Sequence, residues 1–243
     1  LNRPASLVLC MPLLLARCGG SPTPPPTSEA APAPESAEEL RSAAEARRRA
    51  EHLTSLGRFA AALDQAHEAE AIDPSGATDL TFARTYYAMH RFAEALDSGR
   101  RALAKTEPGD ARAAHELVGF VLLFQGQHGA ALRELEIARA LGRDGNAALA
   151  VAYGYAIAGD THRARQLLTS VEEHRATGDD ASYRAAEVHL ALGEKDRALE
   201  LLQRAVAEKD RKVDQLRVDP SLDALHTDPR FQELVLRASP PVD

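Results

Sequence analysis

Between positions 37 and 210, apolar and small residues recur three and four apart, the spacing of helices that bury one face, and no alternating run suggests a strand. The helical pattern breaks at Gly57, His90, Gly126, Gly159 and Gly193, each five residues before an alanine: Ala62, Ala95, Ala131, Ala164 and Ala198. These alanines stand 33, 36, 33 and 34 residues apart. Twelve residues before each lies another small side chain (Ala50, Ala83, Gly119, Ala152, Ala186), and seven after each comes Ala69, Ala102, Ala138, Val171 or Ala205. A unit of roughly 34 residues with a breaker in its middle predicts two antiparallel helices, stacked on the next pair into a solenoid. Glycine suits the breaker because it takes the backbone angles of a tight turn without steric cost. The small residues mark where the two helices of a pair approach most closely, and larger apolar residues fill the layers between pairs.

The spacing predicts hairpins over 43–75, 76–109, 112–144, 145–178 and 179–209. The longer second interval falls in Thr106-Glu107-Pro108-Gly109-Asp110, a turn-rich stretch whose Asp110 is expected to cap the following helix. Beyond the fifth hairpin come two Asp-Pro pairs, Asp219-Pro220 and Asp228-Pro229. Asp caps free amides while Pro at the first helical position gives up no needed donor. They predict a short turn after Pro220 and a last helix from Pro229 to about Arg237.

The comb of small residues, with Phe59 and Phe92 three positions before its second tooth and Pro74 and Pro108 after the second helices, resembles the tetratricopeptide repeat (TPR). His128, Thr161 and Lys195 depart from the aromatic position, and the fourth and fifth units lack the proline. The resemblance implies an all-α, right-handed superhelical solenoid of about five TPR-like hairpins over 37–209, closed by a C-terminal cap and tail over 210–243. Residues 193–237 resemble the end-of-group module of bacterial arrays, which implies a helix covering the exposed apolar face of the last hairpin.

The amino terminus has a different texture. Arg3 precedes a Leu-rich stretch from Leu7 to Ala16, then Cys18-Gly19-Gly20-Ser21, and the apolar run is too short to span a bilayer. The box Leu15-Ala16-Arg17-Cys18 resembles a bacterial lipoprotein signal, with Arg17 in place of a small residue, and implies lipid attachment at Cys18. An ordinary cleaved signal and a start that is no signal are the alternatives. Residues 19–36 are rich in Pro, Ser, Thr and Ala, the composition of an unpacked tether, or of a plain disordered tail, and Ser36-Ala37-Glu38-Glu39 reads as a capping-box start for the first helix. Export and tethering at a bacterial envelope are the expected localisation, or the cytoplasm if the signal is not genuine.

Candidate chemistry is sparse. The pairs His67-Glu68 and His115-Glu116 begin like a zinc-protease helix, but Ala71 and Gly119 stand where the second His is needed. No phosphate loop, nucleophile elbow or dinucleotide turn is present, and Glu172-Glu173 and Asp179-Asp180 suit helix ends. The formal net charge of −7 argues against nucleic acid. No enzyme activity, cofactor, metal or small-molecule substrate is expected.

In the resembled family the first helix of each hairpin lines the concave surface. Carried onto this chain, the first hairpin offers Arg47, Glu51 and Thr54, the second Leu80, Arg84 and Tyr87, the third Glu116, Phe120, Leu123 and Phe124, the fourth Asn146, Leu149, Tyr153 and Ile157, and the fifth Tyr183, Glu187 and Leu190. The acids Glu51 and Glu116 do not suit the clamp with which some members hold a terminal carboxylate. Two readings of the aromatic strip stand: rings anchoring a peptide in an open groove, or core, since Leu117 to Phe124 is apolar on every side and the last helix could fold back through Phe231 and Leu234. The expected function is a protein- or peptide-binding scaffold using Arg84, Tyr87, Phe120, Phe124, Tyr153 and Tyr183. The alternative is an obligate subunit of a larger envelope or multi-enzyme complex.

Overall fold

The computed structural model describes residues 36–109, 111–142, 145–173 and 181–238. The expected Asp110 cap, the Asp179-Asp180 pair, and the leader and tether with Cys18 lie outside these residues. Eleven α-helices follow in order: α1 (Ala37–Ser55), α2 (Phe59–Ile72), α3 (Gly76–Ala88), α4 (Phe92–Lys105), α5 (Arg112–Phe124), α6 (His128–Gly142), α7 (Gly145–Ile157), α8 (Thr161–Glu173), α9 (Ala181–Ala191), α10 (Lys195–Glu208) and α11 (Pro229–Ala238). Two 3-10 turns, Arg211–Gln215 and Pro220–Leu225, separate α10 from α11.

The helices pair as α1 with α2, α3 with α4, and so on to α9 with α10. Each odd helix from α1 to α7 also meets the next odd helix, while α2, α4 and α6 meet the odd helix that follows them. The odd helices therefore form one continuous layer. The result is the expected all-α solenoid of five hairpins, with α11 packed on α10 as a terminal cap. Its first helix begins at Ala37, with Ser36 accepting from the Glu39 amide and the Glu39 side chain accepting from the Ser36 amide. A polar cap thus carries α1 beyond the 43–75 window set by the repeat.

Each hairpin is closed by the same device. Gly57, His90, Gly126, Gly159 and Gly193 all have positive φ, between 58° and 85°. In the first link the amide of Gly57 donates to Thr54 and that of Arg58 to Leu53, the paired bonds of a Schellman ending. The other four links repeat these bonds residue for residue. The carbonyl of the residue after each breaker then accepts from the comb alanine, as Arg58 does from Ala62 and Gln127 from Ala131. The stop of one helix and the first bond of its partner are thus locked together. That fixes which face the second helix presents.

The comb residues lie where the pattern placed them. Ala50, Ala62, Ala69, Ala83, Ala95, Ala102, Ala131, Ala152, Ala164, Ala186, Ala198 and Ala205 all have 0% relative exposure. At Gly119 even a methyl group would stand 2.7 Å from the Leu135 side chain. Val171, the one bulky tooth, is only half-buried. Polar groups stitch the first two hairpins: Arg47 donates to Asp73 at 2.6 Å and to Thr78 at 3.1 Å, and the Thr54 and Thr85 hydroxyls meet at 2.9 Å. Arg47 and Thr54, expected on the concave surface, are thereby spent between hairpins.

Gly119→Val should lower stability by about 1–3 kcal/mol, because α6 stands too close to accept the side chain. Gly109→Ala, in open space, should be near neutral. Denaturant midpoints read by helical circular dichroism check both; equal midpoints would contradict the close-approach account.

Candidate functional site on the inner face

Tyrosines of the odd-helix layer converge on the Asp219 carboxylate. Tyr183 on α9 donates to Asp219 Oδ2 at 3.0 Å, and Tyr87 on α3 reaches Asp219 Oδ1 at 3.5 Å. Side chains from the second and fifth hairpins thus meet on one residue of the segment that follows α10. This segment crosses the inner face. Val218 lies beside the link of the first hairpin, 4.0 Å from where a methyl group on Gly57 would stand, and Asp223 pairs with His90 of the second link at 2.9 Å.

Lys212 enters the same centre. Its ammonium donates to Glu187 Oε1 at 3.1 Å, lies 4.7 Å from the centre of the Tyr183 ring, and stands 3.9 Å from Asp219. Glu187 also accepts from Arg184 and from the Ser221 hydroxyl, both at 3.1 Å. Arg184 in turn pairs with Glu116 and lies over the Phe120 ring at 4.8 Å. Glu187 is 1% exposed and Arg184 7%, so the chain Glu116–Arg184–Glu187–Lys212 is an alternation of charge buried at its middle and partly exposed at its two ends.

The six residues expected to form an open binding strip divide sharply. Tyr183, Tyr153 and Phe120 are buried, at 0%, 3% and 5% exposure. Phe120 stacks on Tyr153 at 5.2 Å, and Tyr183 lies under Lys212 and Asp219. As free anchors these three are a correction: interhelical packing and the C-terminal segment cover them. Phe124 is half-buried, stacked on Phe92 at 4.8 Å and edge-on to Tyr87 at 5.7 Å. Arg84 pairs with Glu51 and keeps 42% of its side chain exposed. The buried half of the strip is packed rather than open, Phe120 and Tyr153 on each other and Tyr183 against Asp219 and Lys212, while α11, with Phe231 and Leu234, packs on α10.

Arg184, Lys212 and Ser221, and the inner-face role of Asp219, are what the sequence reading missed. Asp219 does cap the Pro220 turn as expected, accepting from the Ser221 amide at 2.9 Å, but its second oxygen serves Tyr183. Asp228 likewise accepts from the Arg230 amide at 3.0 Å. The one available signal was that Asp219 lies in a segment rich in large apolar residues after the repeat ends, a place where a charge needs partners.

Burial and the Asp219 carboxylate push the Tyr87 and Tyr183 hydroxyls well above the ordinary 10.0, which keeps both as neutral donors. Burial alone would raise the Asp219 carboxyl, but the Lys212 ammonium and the bonds from Ser221 and Tyr183 outweigh it and hold the carboxyl below its ordinary 3.8. Among the described residues no three His, Cys, Asp or Glu side chains are placed to hold a metal ion, and no helix is long and apolar enough to cross a membrane. His115 pairs instead with Glu134 at 2.7 Å, and His67 with Glu70 at 3.3 Å.

Residues 155–217, the end of the fourth hairpin through the fifth and the first 3-10 turn, match the tetratricopeptide repeat family model. The array has the tetratricopeptide fold. Its hairpins are similar to those of TTC0263, a thermophilic TPR protein of Thermus thermophilus, at 22% identity over 74% of this chain and 98% of that one, with a TM-score of 0.55. YrrB, described as a TPR protein with an unusual peptide-binding site, aligns at 24% identity over 74% of this chain and 93% of that one, with a TM-score of 0.45. No curated protein matches the chain. The TPR hairpins here enclose a charged centre at which the C-terminal segment is tied.

Because the folded Asp219 carboxyl lies below 3.8, the unfolded chain binds more protons between the two values. Its stabilising contribution is therefore present above 3.8 and is lost as pH falls through the folded value. Asp219→Asn should flatten the acid limb of a stability–pH curve. Tyr183→Phe, which leaves one carboxylate oxygen short of a donor, should cost about 1–3 kcal/mol at neutral pH. Urea melts from strongly acidic to neutral pH check both, and an unchanged acid limb in the Asn variant would contradict the assignment.

Proposed function

We propose that this chain is a non-enzymatic scaffold that holds a protein or peptide partner on the inner face of its TPR array. The observation that carries the reading is the continuous layer of odd helices, whose side chains converge from separate hairpins on one chain segment. A face that recruits groups from several repeats toward one chain segment suits recognition of a peptide more than chemistry on a small molecule. Arg84, Tyr87 and Phe124 are its accessible or half-accessible members.

Replacing Arg84 with a photo-reactive residue should yield a discrete crosslinked partner in the native host, whereas the same probe at Arg133 on the outer α6 should not. Loss of the Arg84–Glu51 pair is tolerable, since exposed pairs contribute about 0–1 kcal/mol. Crosslinking from Arg133 alone would move the binding face to the outside of the array.

The finer part of the proposal is that the scaffold is exported and tethered to a membrane through Cys18. The Leu-rich stretch before Cys18 and the Pro-rich residues after it support that reading. The Cys18→Ser protein should lose its lipid label and leave the membrane fraction; a labelled, membrane-bound Ser variant would refute it.

A further inference from the structure

The segment from Asp210 to His226 is joined to the array differently from the way the hairpins are joined to one another. Hairpins meet through aliphatic layers, with neutral and charged polar contacts between the first two, whereas this segment adds to its buried Leu216, Leu222 and Leu225 a charged contact at its centre. The inner face contributes the buried carboxylate Glu187, the partly exposed carboxylate Glu116 and one guanidinium, Arg184, shared between them. That set is one negative charge in excess, and Lys212 of the segment supplies the second cation. A buried carboxylate that shares its only counter-charge is costly, so an occupant of this face that brings a cation to Glu187 is favoured. The hydroxyls of Tyr87 and Tyr183 point at the segment as neutral donors, and Asp219 supplies the acceptor. Between these poles, Leu216 is buried at 1% exposure.

We propose that residues 210–226 act as an intramolecular ligand of the inner face, and that the partner is a peptide of the same chemistry that takes their place. This rests on the scaffold reading above and names its ligand: a basic side chain for Glu187 and the Tyr183 ring, an aliphatic residue, then a carboxylate for the two tyrosines. The junction is built for separation. α10 ends at Lys209 with φ 56°, a left-handed residue where the five hairpin links have four glycines and a histidine, and the amide of Asp210 closes on Ala205 at 3.0 Å. α10 is thus terminated by Lys209 and by Asp210, the first residue of the segment. Release of the residues beyond Asp210 leaves that ending in place.

Hydrogen exchange of the full chain tests separability without any mutation. Amides of 211–226 should exchange at least tenfold faster than the buried amides of α9 and α10; co-protection of all three would make the segment plain core and overturn the proposal. The second arm uses a labelled synthetic peptide of residues 209–226 and the full-length Lys212→Ala/Asp219→Ala variant. The peptide should bind this variant at least tenfold more tightly than it binds the unaltered chain, and a peptide with Lys212→Glu should not bind. Equal binding of both peptides, no binding to a variant whose α9 and α10 stay protected, or loss of α9 and α10 with the segment would each overturn it. So would concentration-dependent dimers of the variant in place of peptide binding, which would show exchange of segments between copies. These failures leave the Arg84 crosslink intact, whereas loss of that crosslink with rapid segment exchange would remove the scaffold reading alone.

Discussion

Two helices can lie side by side at close range only where neither carries a side chain larger than a methyl group, and the rest of this array depends on that contact being made five times in one register. The comb alanines set the distance within each hairpin, and the positive-φ links set the rotation. The two are coupled through a hydrogen bond: the residue that completes the Schellman ending of one helix accepts from the comb alanine of the next. A shift of one residue in either element would break both. Because every hairpin has the same internal geometry, stacking them turns the layer of odd helices progressively, and the inner faces of distant hairpins are brought toward each other.

That curvature explains the part of the molecule that periodicity does not reach. Tyr87 and Asp219 are 132 residues apart, yet their side chains meet, because the second and fifth hairpins face the same centre. The centre where the hairpins' inner faces meet the C-terminal segment is also poor in water, so the charges placed there pair in alternation and the tyrosines stay protonated. The same desolvation that makes Glu187 expensive to leave alone makes it selective toward a cation held in the right place.

Much of the architecture was legible in the sequence for a physical reason: small residues and turn glycines are local requirements that recur with the repeat. The link at His90 shows how far that goes, since position alone identified a left-handed residue that is not glycine. The caps at Ser36, Asp219 and Asp228 were legible on the same grounds, each being a contact within three residues. The fate of the aromatic strip was not. Phe120 and Tyr153 occupy inner-face positions of neighbouring hairpins, and nothing in their local pattern tells whether the ring stacks on its neighbour or faces solvent. Asp219 was read as a helix opener because that role is local, while its bond to Tyr183 depends on the curvature of the whole array.

A terminal cap and a ligand are usually distinct things in a solenoid, and here one stretch of chain divides between them. From Pro229 to Ala238 the chain is a helix whose Phe231 and Leu234 cover the apolar flank of the last hairpin, the ordinary need of an array end. Before it, residues 210–226 form two short 3-10 turns, bury Leu216, Leu222 and Leu225, and lie across the face that recruits side chains from several hairpins. The division falls where the chemistry changes, from aliphatic contact on α10 to aliphatic contact joined by a lysine and an aspartate held between carboxylates and tyrosines. An array end needs only the first. The second is the kind of contact by which one peptide is distinguished from another, because an aliphatic surface accepts many sequences, whereas a buried carboxylate accepts only those that bring it a cation.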